Sequence, residues 1–329
     1  AQAPRARMPC AAPFDVAAAA AALPGEGEAD EEQAEDNAEE AEDIGRVVDI
    51  VYTHVAKDGA VNARADGLVA DAPPRVRVRE LFATPNGRGT VLWKAAKLLG
   101  RWLVARPEVV AGRGVLEVGA GCGLAGLTAL AVGARRVVLT DAVPAVLEGL
   151  ERNLPSGQEQ IPGASGTARV STLDFCADEA CLQEQLGRIT AEEAGHGGLH
   201  VLLASDLLYA TDKWHGLQRT VHAFFALGGR LAAVFSGEGS PCANYKARIV
   251  ECADALRSPQ VGAAAFWDSR AELPEGGATA LLCWPQDGRH DGDGRLDEGL
   301  RRLVRESPLQ AMLEVEHSVE EQHAIRKPA

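Results

Sequence analysis

No Cys-x-x-Cys pair occurs among the seven cysteines, which are scattered at positions 10, 122, 176, 181, 242, 252 and 283. An odd count without paired spacing excludes a zinc framework or a disulfide scaffold, so no metal is expected and the thiols imply a reducing compartment. No apolar run reaches the roughly 18 residues that cross a bilayer, and the alanine run at 17–22 is too short for a secretory core. The expectation is a soluble, cytoplasmic chain without a membrane partner, with nuclear or organellar placement left open. Positive charge is short as well: 33 Lys and Arg stand against 47 Asp and Glu, for a net charge of −14. That argues against a broad phosphate-gripping surface, and so against a nucleic-acid partner, while leaving room for a basic protein partner. Much of the excess is local. Residues 26–43 form a dense acidic run without aromatic residues, which reads as a solvated, disordered tail. The alanine-rich start lacks the serines of a transit peptide and reads as a low-complexity extension.

What is present is a chain of 329 residues, 46% hydrophobic, enough for a full α/β core. Its most informative run is Val115-Leu-Glu-Val-Gly-Ala-Gly-Cys-Gly-Leu124, an apolar strand that ends in an acid and breaks into a glycine turn. Gly119, Gly121 and Gly123 let the backbone turn sharply and approach a ligand, and the helix behind them offers unpaired N–H groups. A dinucleotide fingerprint requires glycine at the sixth position, where this chain has Leu124. Glu117 would repel a pyrophosphate, whereas a cofactor that carries its own ammonium, as S-adenosyl-L-methionine does, would justify the acid. The next strand, 136–141, ends in Asp141, 22 residues past Gly119, close to the roughly 20 expected of a ribose-binding acid. An ordinary βαβ unit with a tight turn is the plain alternative.

Strands alternate with helices along the rest, which predicts a doubly wound, mostly parallel sheet. Strands are expected at 47–55, with Val76, Val78 and Leu81 pairing against it, and at 168–173, 199–205 and 230–236; helices are expected at 92–105, 144–154 (stopped by Pro155) and 244–256. Beyond that order is hard to read: 279–284 and 311–317 are candidate strands around an Asp- and Gly-rich insertion at 286–297, expected to be a mobile loop. The expected organisation is a tail at 1–45 and one domain at 46–325.

Four segments give this chain its resemblance to a known family. Gly89-Thr-Val-Leu-Trp93, the 115–126 loop, Val138-Leu-Thr-Asp141 and Ala204-Ser-Asp-Leu-Leu-Tyr209 resemble motifs of the seven-strand S-adenosylmethionine-dependent methyltransferases, in the branch of protein lysine methyltransferases called family 16. The Asp-x-x-Tyr ending is the most discriminating of the four. The resemblance implies a Rossmann-like, doubly wound seven-strand sheet, mostly parallel with the last strand antiparallel. It implies methyl transfer to lysine side chains of a non-histone protein by a monomeric enzyme. Methylation of histidine, a small molecule or RNA, and a non-catalytic module on the same fold, stay open.

The resemblance also implies roles. Glu117, Gly119, Ala120, Gly121 and Asp141 would hold the cofactor, Asp174 would accept from its adenine amino group and Phe175 would cover the adenine face, where the family usually has Trp. Ser205 would offer backbone to the cofactor and Trp93 would line its methionine end, against the alternative of a helix residue packed in the core. Asp206 and Tyr209, three residues apart after a strand, would place the target amine. Their plain alternatives are a helix cap and a packing residue. His215, His222 and Trp214 are left out of the site, and Asp212 and Lys213 are expected to face solvent.

Overall fold

The computed structural model describes residues 45–54, 74–81, 89–159, 166–208, 211–237, 263–269, 278–285, 308, 312 and 315–324. The acidic run, the 286–297 insertion, the helix expected at 244–256 and Tyr209 lie outside the described residues.

Seven strands form the central sheet. They are β3 (Gly114–Val118), β4 (Arg136–Asp141), β5 (Thr167–Thr172), β6 (Val201–Ser205), β7 (Leu231–Gly237), β8 (Ala263–Ser269) and β9 (Ala278–Trp284). Their order is β5-β4-β3-β6-β7-β9-β8. The first five run parallel, and β9 is antiparallel to both β7 and β8. This is the Rossmann-like, doubly wound sheet with an antiparallel last strand that the sequence predicts. The chain winds outward from β3 to β5, then returns to the other side of β3 with β6. That reversal opens a crevice at the carboxyl ends of β3 and β6, where ligands bind in such sheets.

Strand β3 is buried along its whole length, as expected of a parallel strand covered on both faces. Its alternation assigns each residue a face. Val115 joins the apolar cluster formed with α1 (Lys94–Ala105), α2 (Leu124–Ala131) and α3 (Pro144–Glu159), through Leu98, Leu127 and Leu150 among others. Leu116 and Val118 join the opposite cluster with α4 (Glu179–Ala194) and α5 (Thr211–Ala226). Period two therefore turns Glu117 into the first of these apolar layers.

A second sheet of three antiparallel strands, in the order β10-β1-β2, joins β1 (Gly45–His54), β2 (Arg75–Leu81) and β10 (Val315–Ala324). Val48, Ile50, Val76 and Val78 turn their side chains into the α1–α3 layer, and β2 packs on α2 and α3.

Four expectations are corrected. Helix α1 starts at Lys94, so Trp93 flanks the helix in extended backbone instead of packing inside it. Helix α3 runs through Pro155 to Glu159; proline removes one backbone hydrogen bond and kinks a helix, which need not end it. The strand sought at 311–317 is β10, in the small sheet. The hairpin partner of β9 is β8, where the run Ala-Ala-Ala-Phe-Trp-Asp-Ser has no β-branched residue to signal a strand.

Candidate functional site

The glycine turn is held by β4 and by the Gly89 segment that precedes α1. Gly119, Gly121 and Gly123 have φ of 59°, 55° and 80°, and the requirement is sharpest at Gly121, where a Cβ would stand 2.9 Å from the Gly89 carbonyl oxygen. Ala120 N–H donates to the Thr140 carbonyl at 2.8 Å, pinning the turn to β4. Behind it α2 lies so close to the sheet that a Cβ on Gly126 would meet Leu139 and approach Glu117 Oε2 to 2.6 Å.

Glu117 is 1% exposed. Its Oε2 accepts from Gly126 N–H at 2.7 Å, and its Oε1 is sealed from water without a hydrogen-bond partner among the described residues. Burial pushes its pKa up to about 8; the Gly126 bond pulls it down and the charge of Asp141 adds to the rise. An orphaned, desolvated carboxyl oxygen beneath a positive-φ turn suits a ligand that brings a positive charge, and the residues therefore fit a cofactor bearing an ammonium group. The sixth position of the dinucleotide pattern is occupied by Leu124, buried in the core.

Asp141, at the end of β4, accepts from Ala142 N–H at 2.8 Å and Val143 N–H at 3.1 Å through Oδ1, and from Gly121 N–H at 3.4 Å through Oδ2. Desolvation raises its pKa, while these bonds and the charge of Lys213 pull it back. Asp174 follows β5 and accepts from Cys176 N–H at 2.8 Å; its own N–H donates to Gln185 at 2.8 Å. Phe175 beside it is buried, with Lys213 Nζ 5.5 Å over its ring. Lys213, expected in solvent, is thus half-buried and faces the Phe175 and Asp141 side of the crevice.

Asp206 follows directly on Ser205, the last residue of β6, and has φ of 52°, the one positive φ of a non-glycine residue among the described residues. Such backbone is costly and tends to persist where function needs it. Its Oδ2 accepts from Ala95 N–H at 3.3 Å, in the first turn of α1, and its own N–H donates to the Phe235 carbonyl at 2.9 Å. The helix-cap alternative for Asp206 is therefore real, and it also brings the carboxylate to the start of α1, beside Trp93. Trp93 is 40% exposed, an unusual position for a tryptophan. The buried-helix alternative for Trp93 is excluded by that exposure. Of the excluded residues, Trp214 packs against the α4–α5 layer and stacks on His215 at 3.5 Å, and burial lowers the pKa of half-buried His222.

Two residues that sequence reasoning missed brace this crevice. Glu80 is fully buried at the end of β2, accepts from Leu92 N–H and pairs with Arg46. Asn153 on α3 is 2% exposed and bridges Arg79 to the Cys122 carbonyl. Both left a signal: Glu80 falls on the inward period of Val76 and Val78, and Asn153 falls on the apolar stripe that holds Leu150 and Leu154.

Residues 74–234 match the protein family described as lysine methyltransferase. The chain is 33% identical over 168 residues to Protein N-terminal and lysine N-methyltransferase EFM7 of Eremothecium gossypii, across 49% of this chain and 60% of that protein. It is 30% identical over 171 residues to Methyltransferase-like protein 22 of Mus musculus, across 50% of this chain and 42% of that protein. A further likeness, 29% over 138 residues, is to Protein-lysine N-methyltransferase EEF2KMT of Mus musculus, across 40% and 38% of the two chains. The chain thus spans about half the length of the curated relatives it matches.

Proposed function

From the match of residues 74–234 to the family described as lysine methyltransferase, we propose that this chain transfers a methyl group from S-adenosylmethionine to a lysine side chain of another protein. The observation that carries the reading is Asp206, held in strained backbone at the end of β6 and tied to the start of α1 beside exposed Trp93. Bound in the crevice, S-adenosylmethionine would supply an electrophilic methyl group on a sulfonium. Asp141 accepts from the ribose hydroxyls, Asp174 and Phe175 meet the adenine, and the backbone of Gly119, Ala120, Gly121 and Ser205 lines the rest. Glu117, held neutral by burial, would give up its proton when the cofactor's ammonium brings a compensating positive charge to the turn. Asp206 orients the incoming ammonium of the substrate beside Trp93, Tyr209 of the same Asp-x-x-Tyr motif is assigned a share in placing the amine, and exclusion of water favours loss of its proton.

The likeness to a relative named for protein N-terminal as well as lysine methylation supports a second acceptor, the α-amine of a protein, which reaches its neutral form at lower pH than lysine does. The domain is taken as 46–325, working as a monomer, which a net charge of −14 favours. Buried Cys122 and Cys283, outside any disulfide among the described residues, suit a reducing cytoplasm. Among the described residues, no helix is long and apolar enough to cross a membrane.

Calorimetric titration with S-adenosylhomocysteine, and separately with reduced nicotinamide dinucleotide, tests the cofactor. The expected result is binding of the first only, weakened about 10- to 100-fold in Asp141→Ala as two ribose hydrogen bonds are lost. Binding of the dinucleotide, or of neither ligand, contradicts the reading.

A further inference from the structure

The strand ends hold the parts of the site that sequence reasoning found, yet the glycine turn is also held from the side, by the small sheet. Asn153 reaches from α3 to β2: its Oδ1 accepts from Arg79 N–H at 2.8 Å and its Nδ2 donates to the Arg79 carbonyl at 3.3 Å. The same Nδ2 donates to the Cys122 carbonyl, inside the glycine turn, at 3.0 Å. Glu80, the next residue on β2, accepts from Leu92 N–H through Oε1 and pairs with Arg46 of β1 through Oε2. Arg79 and Glu80 thus fasten two segments at once, the turn and the 89–93 stretch that leads into α1. Those segments touch, since the Gly89 carbonyl oxygen lies 2.9 Å from where a Cβ of Gly121 would stand.

Burying an amide and a carboxylate costs desolvation that leucines in their place would not incur. What the polar pair returns is fixed geometry, because the bonds of Asn153 and the Glu80 bond to Leu92 end on backbone, while Arg46 holds the second Glu80 oxygen. We propose that Glu80 and Asn153 are positioning residues for the amino-acid end of the cofactor, and that the β10-β1-β2 sheet is for that reason part of the cofactor site. The inference rests on S-adenosylmethionine as the ligand. Neither residue bonds to Asp141, Asp174 or Phe175, and the turn they hold meets Asp141 only through the long 3.4 Å Gly121 N–H bond, so the adenosine end is largely independent of them.

That independence supplies a readout that loss of general stability would not mimic. The full chain is titrated with S-adenosylhomocysteine and, by competition, with adenosine, which lacks the amino-acid end. Asn153→Ala and Glu80→Ala are expected to weaken S-adenosylhomocysteine about 10-fold, as loss of an outer-shell contact does, while adenosine stays within about two-fold. Glu80→Gln, which still accepts from Leu92 N–H, is expected to restore most of the affinity. Should the alanine variants fail to fold, Asn153→Asp replaces them: its carboxylate keeps the Arg79 N–H and loses the donation to Cys122, so the same selective loss is expected. Equal losses for both ligands, or no loss for either, overturn the proposal. A wild-type chain that binds neither ligand overturns the cofactor reading first and this inference with it.

Discussion

Glu117 is a carboxyl group that the fold keeps dry, and its titration should be visible in stability. Its pKa is raised from 4.5 to about 8, with burial as the main cause, so the folded protein holds a proton that the unfolded chain releases. The stability due to the neutral carboxyl is complete below about pH 4.5 and is lost as pH rises through about 8. Melting temperature should therefore fall between pH 5 and pH 8.5, Asp141 adding to the fall with its own raised pKa, and Glu117→Gln should flatten much of it; equal slopes would contradict the burial account. Asp206 makes the complementary case for chemistry. Asp206→Asn keeps an acceptor for Ala95 N–H but loses the charge, so kcat should fall about 100-fold or more while S-adenosylhomocysteine affinity, read by calorimetry, holds within about two-fold. Glu117, Asp141 and Asp206 were legible because each ends an apolar strand, and two of them adjoin or answer a glycine turn. Glu80 and Asn153 were not, because their partners lie in distant segments: Asn153 meets Arg79 74 residues away in sequence. Lys213 was misread as solvent-facing because only the fold brings α5 over Phe175.

Elements carry the next level of constraint. Helix α2 packs on β3 and β4 through Gly126, where a Cβ would press on Leu139 and Glu117 Oε2. Gly126→Ala should destabilise the protein by about 1–3 kcal/mol, the usual cost of overpacking, seen as a lower denaturant midpoint with an unchanged slope; an unchanged midpoint would show that the helix has room. Strands β3, β4, β6 and β7 were legible as apolar runs bounded by turns, and β1 and β2 by alternation. The β8 strand was hidden by its alanines, and α3 outran its apparent stop because Pro155 weakens the helix without ending it. Trp93 shows the same limit from another side: helical spacing from Leu92 onward suggested a buried face, but the first residues precede the helix, and Trp93 sits at its mouth.

At the scale of the whole molecule, β1 near one end of the described chain pairs along its full length with β10 near the other. Arg101, buried in α1, secures that closure by donating to the Val315 and Met312 carbonyls, each at 2.7 Å. Arg101→Leu would remove both bonds and should cost about 1–3 kcal/mol, with amide exchange accelerating in β1 and β10 before the central sheet; uniform acceleration would contradict a local role. Through Glu80 and Asn153 this closed sheet reaches the crevice, so architecture and proposed chemistry meet at one strand. The proposed activity is tested most directly by incubating the purified chain and its Asp206→Asn variant with a cell lysate and methyl-labelled S-adenosylmethionine, then hydrolysing each labelled protein band for amino-acid analysis. A discrete band that yields methyllysine with the wild-type chain and loses its label with Asp206→Asn is the predicted result. Label in methylhistidine, RNA or small molecules only, or no label from a chain that binds S-adenosylhomocysteine, would contradict it.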